Sequence, residues 1–237
     1  KDTQEIQAWY TDLVRTHPDH AVYQYGQALA LSYAEPPDLP LVIRLLERAM
    51  KKDPALGYVH QTLGWAYEQT ERTSGNKGYL DKAEQEYRIA LELNDADRFP
   101  DVESQLLLNL GNTYLALSNF REAYRHYRQR DEQFSPTDET MTELLYRKNY
   151  GEAGFKAGRT EESLAQYQLA LRKVSPDQPN LQAEILERMG LSHQDIGQYA
   201  KAIEAYSQAL ALNRELGQGD NVTLLQRNIG VNLFNLS

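Results

Sequence analysis

The side chains of this chain that could do acid–base or metal chemistry are five histidines, His17, His20, His60, His126 and His193, and a set of carboxylates. No histidine stands at a metal-ligand spacing from another histidine or an acid. His17 and His20 flank Pro18 in a turn, a surface setting. The pair Glu161–Glu162 reads as the solvated start of a helix, where carboxylates complement the helix dipole. The chain has no cysteine, which excludes disulfides, thiolate nucleophiles and zinc–cysteine sites. There is no phosphate-binding loop, dinucleotide glycine pattern or nucleophile elbow. No catalysis, cofactor or metal is expected. The residues that invite a role are suited to binding. Asn109, Asn149 and Asn228 each stand two positions before a glycine, inside a helical pattern. Asparagine is mildly unfavourable in mid-helix, so its recurrence needs a reason, and an amide that both donates and accepts hydrogen bonds supplies one.

The elements that position these amides recur. The phrase reads TLGWAY at Thr62–Tyr67, NLGNTY at Asn109–Tyr114, NYGEAG at Asn149–Gly154, RMGLSH at Arg188–His193 and NIGVNL at Asn228–Leu233. Its glycines, Gly64, Gly111, Gly151, Gly190 and Gly230, are spaced by 47, 40, 39 and 40 residues. A period of roughly 20–50 residues is the mark of a solenoid. After each of the first four phrases comes one stripe of a second helix: a small residue, an aromatic four on, and a small residue three further. Ala83, Tyr87 and Ala90 carry it, as do Ser163, Tyr167 and Ala170, and Ala202, Tyr206 and Ala209; Ala123, Tyr127 and Arg130 end on a charge. Glycine or alanine on the first helix lets the second approach, and the aromatic fills the space between units.

These residues resemble the tetratricopeptide repeat family, whose units are helix pairs with Leu-Gly and Tyr on the first helix and Ala, Tyr or Phe, and Ala on the second. An earlier unit has Leu29, Ala30 and Tyr33, then Val42, Leu46, Ala49 and a closing Pro54, with Gly26 competing for the small position. The resemblance implies an all-α, right-handed superhelical solenoid of about twelve antiparallel helices. Its units are an orphan second helix at 1–20, repeats at 21–56, 57–100, 101–141, 142–180 and 181–220, and an orphan first helix at 221–237. Repeat 2 carries a loop insertion at 71–79, marked by Gly75 and Gly78. The later units have about six additional residues between pairs, at Phe134–Met141, Ser175–Asn180 and Leu216–Thr223, as in the family's longer subclass. Gly154 and His193 replace the first-helix Tyr, which predicts less regular packing there. The last helix is apolar well beyond one face, so it is expected to pack against a continuing chain or another molecule.

In this family the first helices line a concave groove. The resemblance therefore implies a partner-binding lane of Gln61, Trp65, Asn109, Asn112, Lys148, Asn149, Arg188, Arg227 and Asn228. The asparagines would grip the backbone of an extended peptide. Lys148, Arg188 and Arg227 would favour an acidic peptide, unless nearby Glu152, Glu184 and Glu187 pair with them, and Trp65 is a plausible anchor. The family's carboxylate clamp, Lys and Asn four apart on one helix, is not met: Lys148 is followed at that spacing by Glu152 and Gln61 by Trp65. The expected function is a protein–protein interaction scaffold. The alternatives are a regulatory domain of a larger enzyme or signalling protein, and a self-assembly module stacking through its terminal helices. A net charge of −9 argues against nucleic acid, whose binders carry a basic stripe. No stretch of 18 apolar residues predicts a membrane span. The absence of cysteine leaves the compartment open, with the cytoplasm the default.

Overall fold

The computed structural model describes residues 3–76, 78–95, 98–134 and 140–237. Among them the secondary structure is twelve α-helices, α1 (Thr3–Thr16), α2 (Ala21–Ser32), α3 (Leu39–Lys52), α4 (Gly57–Ser74), α5 (Tyr79–Leu93), α6 (Pro100–Ala116), α7 (Phe120–Gln133), α8 (Thr140–Lys156), α9 (Thr160–Leu171), α10 (Pro179–Asp195), α11 (Tyr199–Glu215) and α12 (Gly219–Leu236). They form two compact units, Lys1–Ser118 and Asn119–Ser237. Within each, every helix packs on its neighbours in sequence.

The core of the first unit is the predicted stripes facing one another. Val42, Leu46 and Ala49 of α3, Leu63 and Ala66 of α4, and Ala83, Tyr87 and Ala90 of α5 are all buried. In the second unit Tyr167, Ala170 and Ile185 make one cluster, and Leu186, Ala202, Tyr206, Ala209 and Leu225 another. The glycines of the repeated phrase are seats for tyrosine rings. A Cβ at Gly64 would lie 2.7 Å from the Tyr87 ring, at Gly151 2.7 Å from Tyr167, and at Gly190 2.6 Å from Tyr206. At Gly230 a Cβ would meet nothing within 4 Å. Of the apolar residues of α12, Leu225 is buried, whereas Val231, Leu233, Phe234 and Leu236 are exposed.

Several local expectations are corrected. Helix α4 runs through Glu71–Ser74, so the expected loop begins only at Gly75, where the backbone turns left-handed. Glu71 Oε2 then accepts from the backbone N–H of Leu80 at 2.9 Å and caps α5. Lys77 lies outside the described residues. Helices α6 and α10 begin at Pro100 and Pro179, a residue or two before the expected units at 101 and 181, with proline in the first helical turn, where it costs no hydrogen bond. Of the linker expected at Phe134–Met141, residues 135–139 lie outside the described residues and Met141 is already in α8. Both candidates for the small residue of α2 are used. A Cβ at Gly26 would run into the ring of Tyr10 on α1, while Ala30 is buried on the same helix. Tyr33 is not buried as Tyr67 is: α2 ends at Ser32, and Tyr33 caps it 72% exposed.

The replacements in the second unit have partners. The space beside Gly154 is bounded by the Tyr124 ring and by Ser163 Cβ, both 3.5 Å from where its Cβ would be. Arg130, at a position where alanine is usual, is buried with its guanidinium 4.2 Å from the centroid of Tyr146. Beside it Arg147 Nε meets Glu143 Oε1 at 2.6 Å, and Arg147 Nη1 meets Asp131 Oδ1 at 2.6 Å. This charge cluster replaces a small-residue contact between α7 and α8.

One polar device escaped the sequence reading. Glu68, four residues after Gly64, accepts from the Tyr87 hydroxyl at 2.9 Å and from Thr113 Oγ1 at 2.7 Å. Gln194, four after Gly190, accepts from the Tyr206 hydroxyl at 3.3 Å and from Asn232 Nδ2 at 2.8 Å. Each joins a first helix to its own second helix and to the next first helix. Burial pushes the Glu68 carboxyl up, against the pull of its bonds to Thr113 and Tyr87.

Candidate functional site

The first-helix face of the first unit holds a cleft of about 360 Å³. Helix α2 contributes Leu29 and Ser32, with Tyr33 at its end; α4 contributes Gln61, Thr62 and Trp65; α6 contributes Gln105 and Asn109. The order follows helical periodicity: Gln61 and Trp65, like Gln105 and Asn109, are one turn apart and share a face. Gln105 Nε2 donates to Asn109 Oδ1 at 2.8 Å, which fixes the orientation of the Asn109 amide at the cleft wall and leaves its N–H groups outside that bond. Trp65 is half-buried against the core on one edge, so its ring is held by packing and still forms a wall. Among the described residues no charged side chain lines this cleft.

Of the residues expected in the lane, Gln61, Trp65 and Asn109 are thus brought together. Asn112 is half-buried on α6 and does not line the cleft. Tyr33, Gln105, Leu29 and Ser32 were not anticipated. Gln105 carried a signal, since it lies one turn before Asn109 on the same helix. Tyr33 carried a misleading one, since its spacing from Ala30 matches the buried Tyr67.

The corresponding face of the second unit has a different chemistry. Lys148 Nζ lies 2.9 Å from Glu184 Oε1, and Arg188 Nη2 lies 3.9 Å from Glu152 Oε1. Two of the three cations expected to attract an acidic peptide, Lys148 and Arg188, thus face acids on the adjoining first helix, which is the pairing that the sequence left open for them. Asn149 is half-buried on α8 between these pairs. Arg227 is exposed and Asn228 half-buried on α12; the carbonyl of Asn228 accepts from Asn232 Nδ2 at 2.8 Å.

The histidines assemble no reactive group. His60 Nδ1 lies 2.6 Å from Glu86 Oε2 and its Nε2 3.1 Å from the carbonyl of Pro54, so both ring nitrogens are occupied in a buried tie between α4 and α5. His193 hydrogen-bonds Gln198 Oε1 at 3.0 Å, and burial lowers its pKa. Among the described residues no group of three or more His, Asp or Glu could hold a metal ion, and no helix is long and apolar enough to cross a membrane.

The arrangement of paired helices with glycine-seated tyrosines defines a tetratricopeptide-type solenoid, and comparison with known proteins agrees. Residues 183–216 match the model of the tetratricopeptide repeat. Among solved structures, YrrB, described as a TPR protein with an unusual peptide-binding site, is similar with a TM-score of 0.69 at 16% identity over 86% of this chain and 92% of its own. A crystal structure of MamA gives 0.57 at 14% identity over 76% and 92%. The Cut9–Hcn1 hetero-tetramer of APC/C gives 0.58 at 18% identity, covering 99% of this chain and 42% of the matched one. No curated protein matches in sequence. The fold is that of a tetratricopeptide repeat array, with one repeat matched in sequence at residues 183–216.

Proposed function

We propose that this protein is a docking scaffold that holds a neutral, extended segment of a partner protein against the first-helix face of α2, α4 and α6. The observation that carries this is the cleft of Tyr33, Gln61, Trp65, Gln105 and Asn109: an aromatic wall beside three amides, with no charge among its lining residues. Amides satisfy the alternating donors and acceptors of an extended backbone, and a half-buried Trp is the side chain most often found to dominate a binding surface. The peptide-binding site named for YrrB adds support by fold alone. Pull-downs from the source lysate, comparing the wild type with a Trp65→Ala/Asn109→Ala variant, test it by mass spectrometry. A partner retained by the wild type and lost by the variant is expected. Identical partner lists would overturn the assignment to this face.

A second reading, self-association, is favoured by α12, where the open Gly230 seat adjoins Leu233 and Phe234, 55% and 80% exposed. Light scattering at two concentrations checks it: a mass that rises with concentration and falls back on Phe234→Asp would support it.

A further inference from the structure

A second cleft, of about 270 Å³, opens in the same unit between α4, α5 and α6. Its walls include Gly57 and Tyr58 of α4, Leu93 of α5, Phe99, and Val102 and Leu106 of α6. Leu93 and Phe99 are 41% and 48% exposed, so its mouth is apolar and accessible. Gly57 helps keep it open: a Cβ there would already stand 3.4 Å from Leu93 Cβ. Among the described residues the one charged side chain lining it, Asp95, is exposed to solvent.

The two clefts share one residue, Gln61. On α4 the second is lined by Gly57, Tyr58 and Gln61 and the first by Gln61, Thr62 and Trp65. On α6 the second takes Val102 and Leu106 and the first Gln105 and Asn109. In the same sense, α4 thus shifts by four residues and α6 by three, an advance of roughly 4.5–6 Å. In an extended chain, side chains at i and i+2 point to one face and stand roughly 6.6 Å apart, while i+1 and i+3 point away. We infer that the two clefts form a paired reader of an extended partner segment with two uncharged apolar side chains separated by one residue. One side chain enters between Tyr33 and Trp65, the other between Leu93 and Phe99. Gln61 hydrogen-bonds the peptide unit between them, donating through its N–H and accepting through its carbonyl. The neutral lining of the first cleft selects against a charged residue at that anchor, and in the second the exposed Asp95 carboxylate selects against an anionic one. This inference rests on the reading of the α2–α4–α6 face as the ligand surface.

The test uses isotope-labelled protein and three peptides in a Ser-Gly host, carrying Phe-Ser-Phe, Phe-Ser-Ser-Phe or a single Phe. Phe-Ser-Phe is expected to shift the Trp65 indole and the Gly57 amide together, and to bind about tenfold tighter than the other two. Phe99→Ser should reduce Phe-Ser-Phe to the level of the single Phe. That variant is safe for the fold, because Phe99 is the N-cap of α6 without a side-chain cap bond, and serine is favoured there. Shifts at Trp65 but not at Gly57, or equal affinity for the two spacings, would overturn the paired reader and leave the first cleft standing. Shifts at neither site would overturn the reading of this face altogether.

Discussion

The α2–α4–α6 face and the α8–α10 face are built from the same repeated phrase and present opposite chemistry. On the first, the positions around the glycine hold Gln61, Trp65 and Asn109, and the lining is neutral. On the second they hold Lys148, Glu152 and Arg188, and the charges pair across adjoining helices with Glu184 closing the set. Residues that seat the helices repeat because packing is the same in each unit. Residues that face outward are free to vary, and here one face offers amides and aromatics in a neutral lining while the other sets Lys148 and Arg188 against acids. A repeat period therefore locates a face and says little about what the face binds.

The sharpest way to probe this common frame is at the seats. Gly190→Ala forces a Cβ to 2.6 Å from the buried Tyr206 ring and is expected to destabilise the protein by about 1–3 kcal/mol in urea unfolding. Gly230→Ala, with no neighbour to meet, is expected to stabilise it by about 0.5–1 kcal/mol through helix propensity. Equal losses at both sites would show that α12 is covered in solution.

Next comes the contrast between the faces. Trp65→Ala is expected to weaken the Phe-Ser-Phe peptide about tenfold or more. Arg188→Ala should change it by less than about twofold, read in the same titration. A larger effect at Arg188 would shift the site toward the second unit. A smaller effect is expected from the ion pairs. Lys148→Met should cost at most about 1 kcal/mol of stability, since Glu184 is partly exposed and solvent screens the pair.

The smallest effect separates Glu68 from Gln194. Because burial raises the folded-state pKa of Glu68, its contribution is fully present below the ordinary carboxylate range and is lost as pH rises through the raised value. Glu68→Gln, which installs what the second unit already has at Gln194, should therefore melt higher than wild type at neutral pH. The gap should close as pH falls toward about 4. Melting curves at three pH values check the sign, and a gap that widens on acidification would contradict it.

The seats and stripes were legible in the sequence because their reasons are local. A small residue beside a large ring, repeated at a fixed spacing, states how two helices meet. Tyr87, Tyr167 and Tyr206 lie on their glycines as that logic requires. Legibility failed where a residue's fate depends on where a helix stops. Tyr33 has the spacing of a core tyrosine, but α2 ends one residue before it, and the ring becomes a wall of the cleft. The expected loop at 71–79 failed likewise, since α4 carries on through Ser74 until Gly75 turns the chain.

By itself the sequence determined the fold class, the order of the helices and which residues would be buried between them, because burial on a helix follows from period and side-chain size. It also put Gln61, Trp65 and Asn109 on the outward side of their helices. Only the tertiary structure decided that these three share a cleft with Tyr33 and Gln105, and that Lys148 and Arg188 are held by acids. Both outcomes depend on which side chains of different helices come within a few ångströms, and a one-dimensional spacing does not encode that distance.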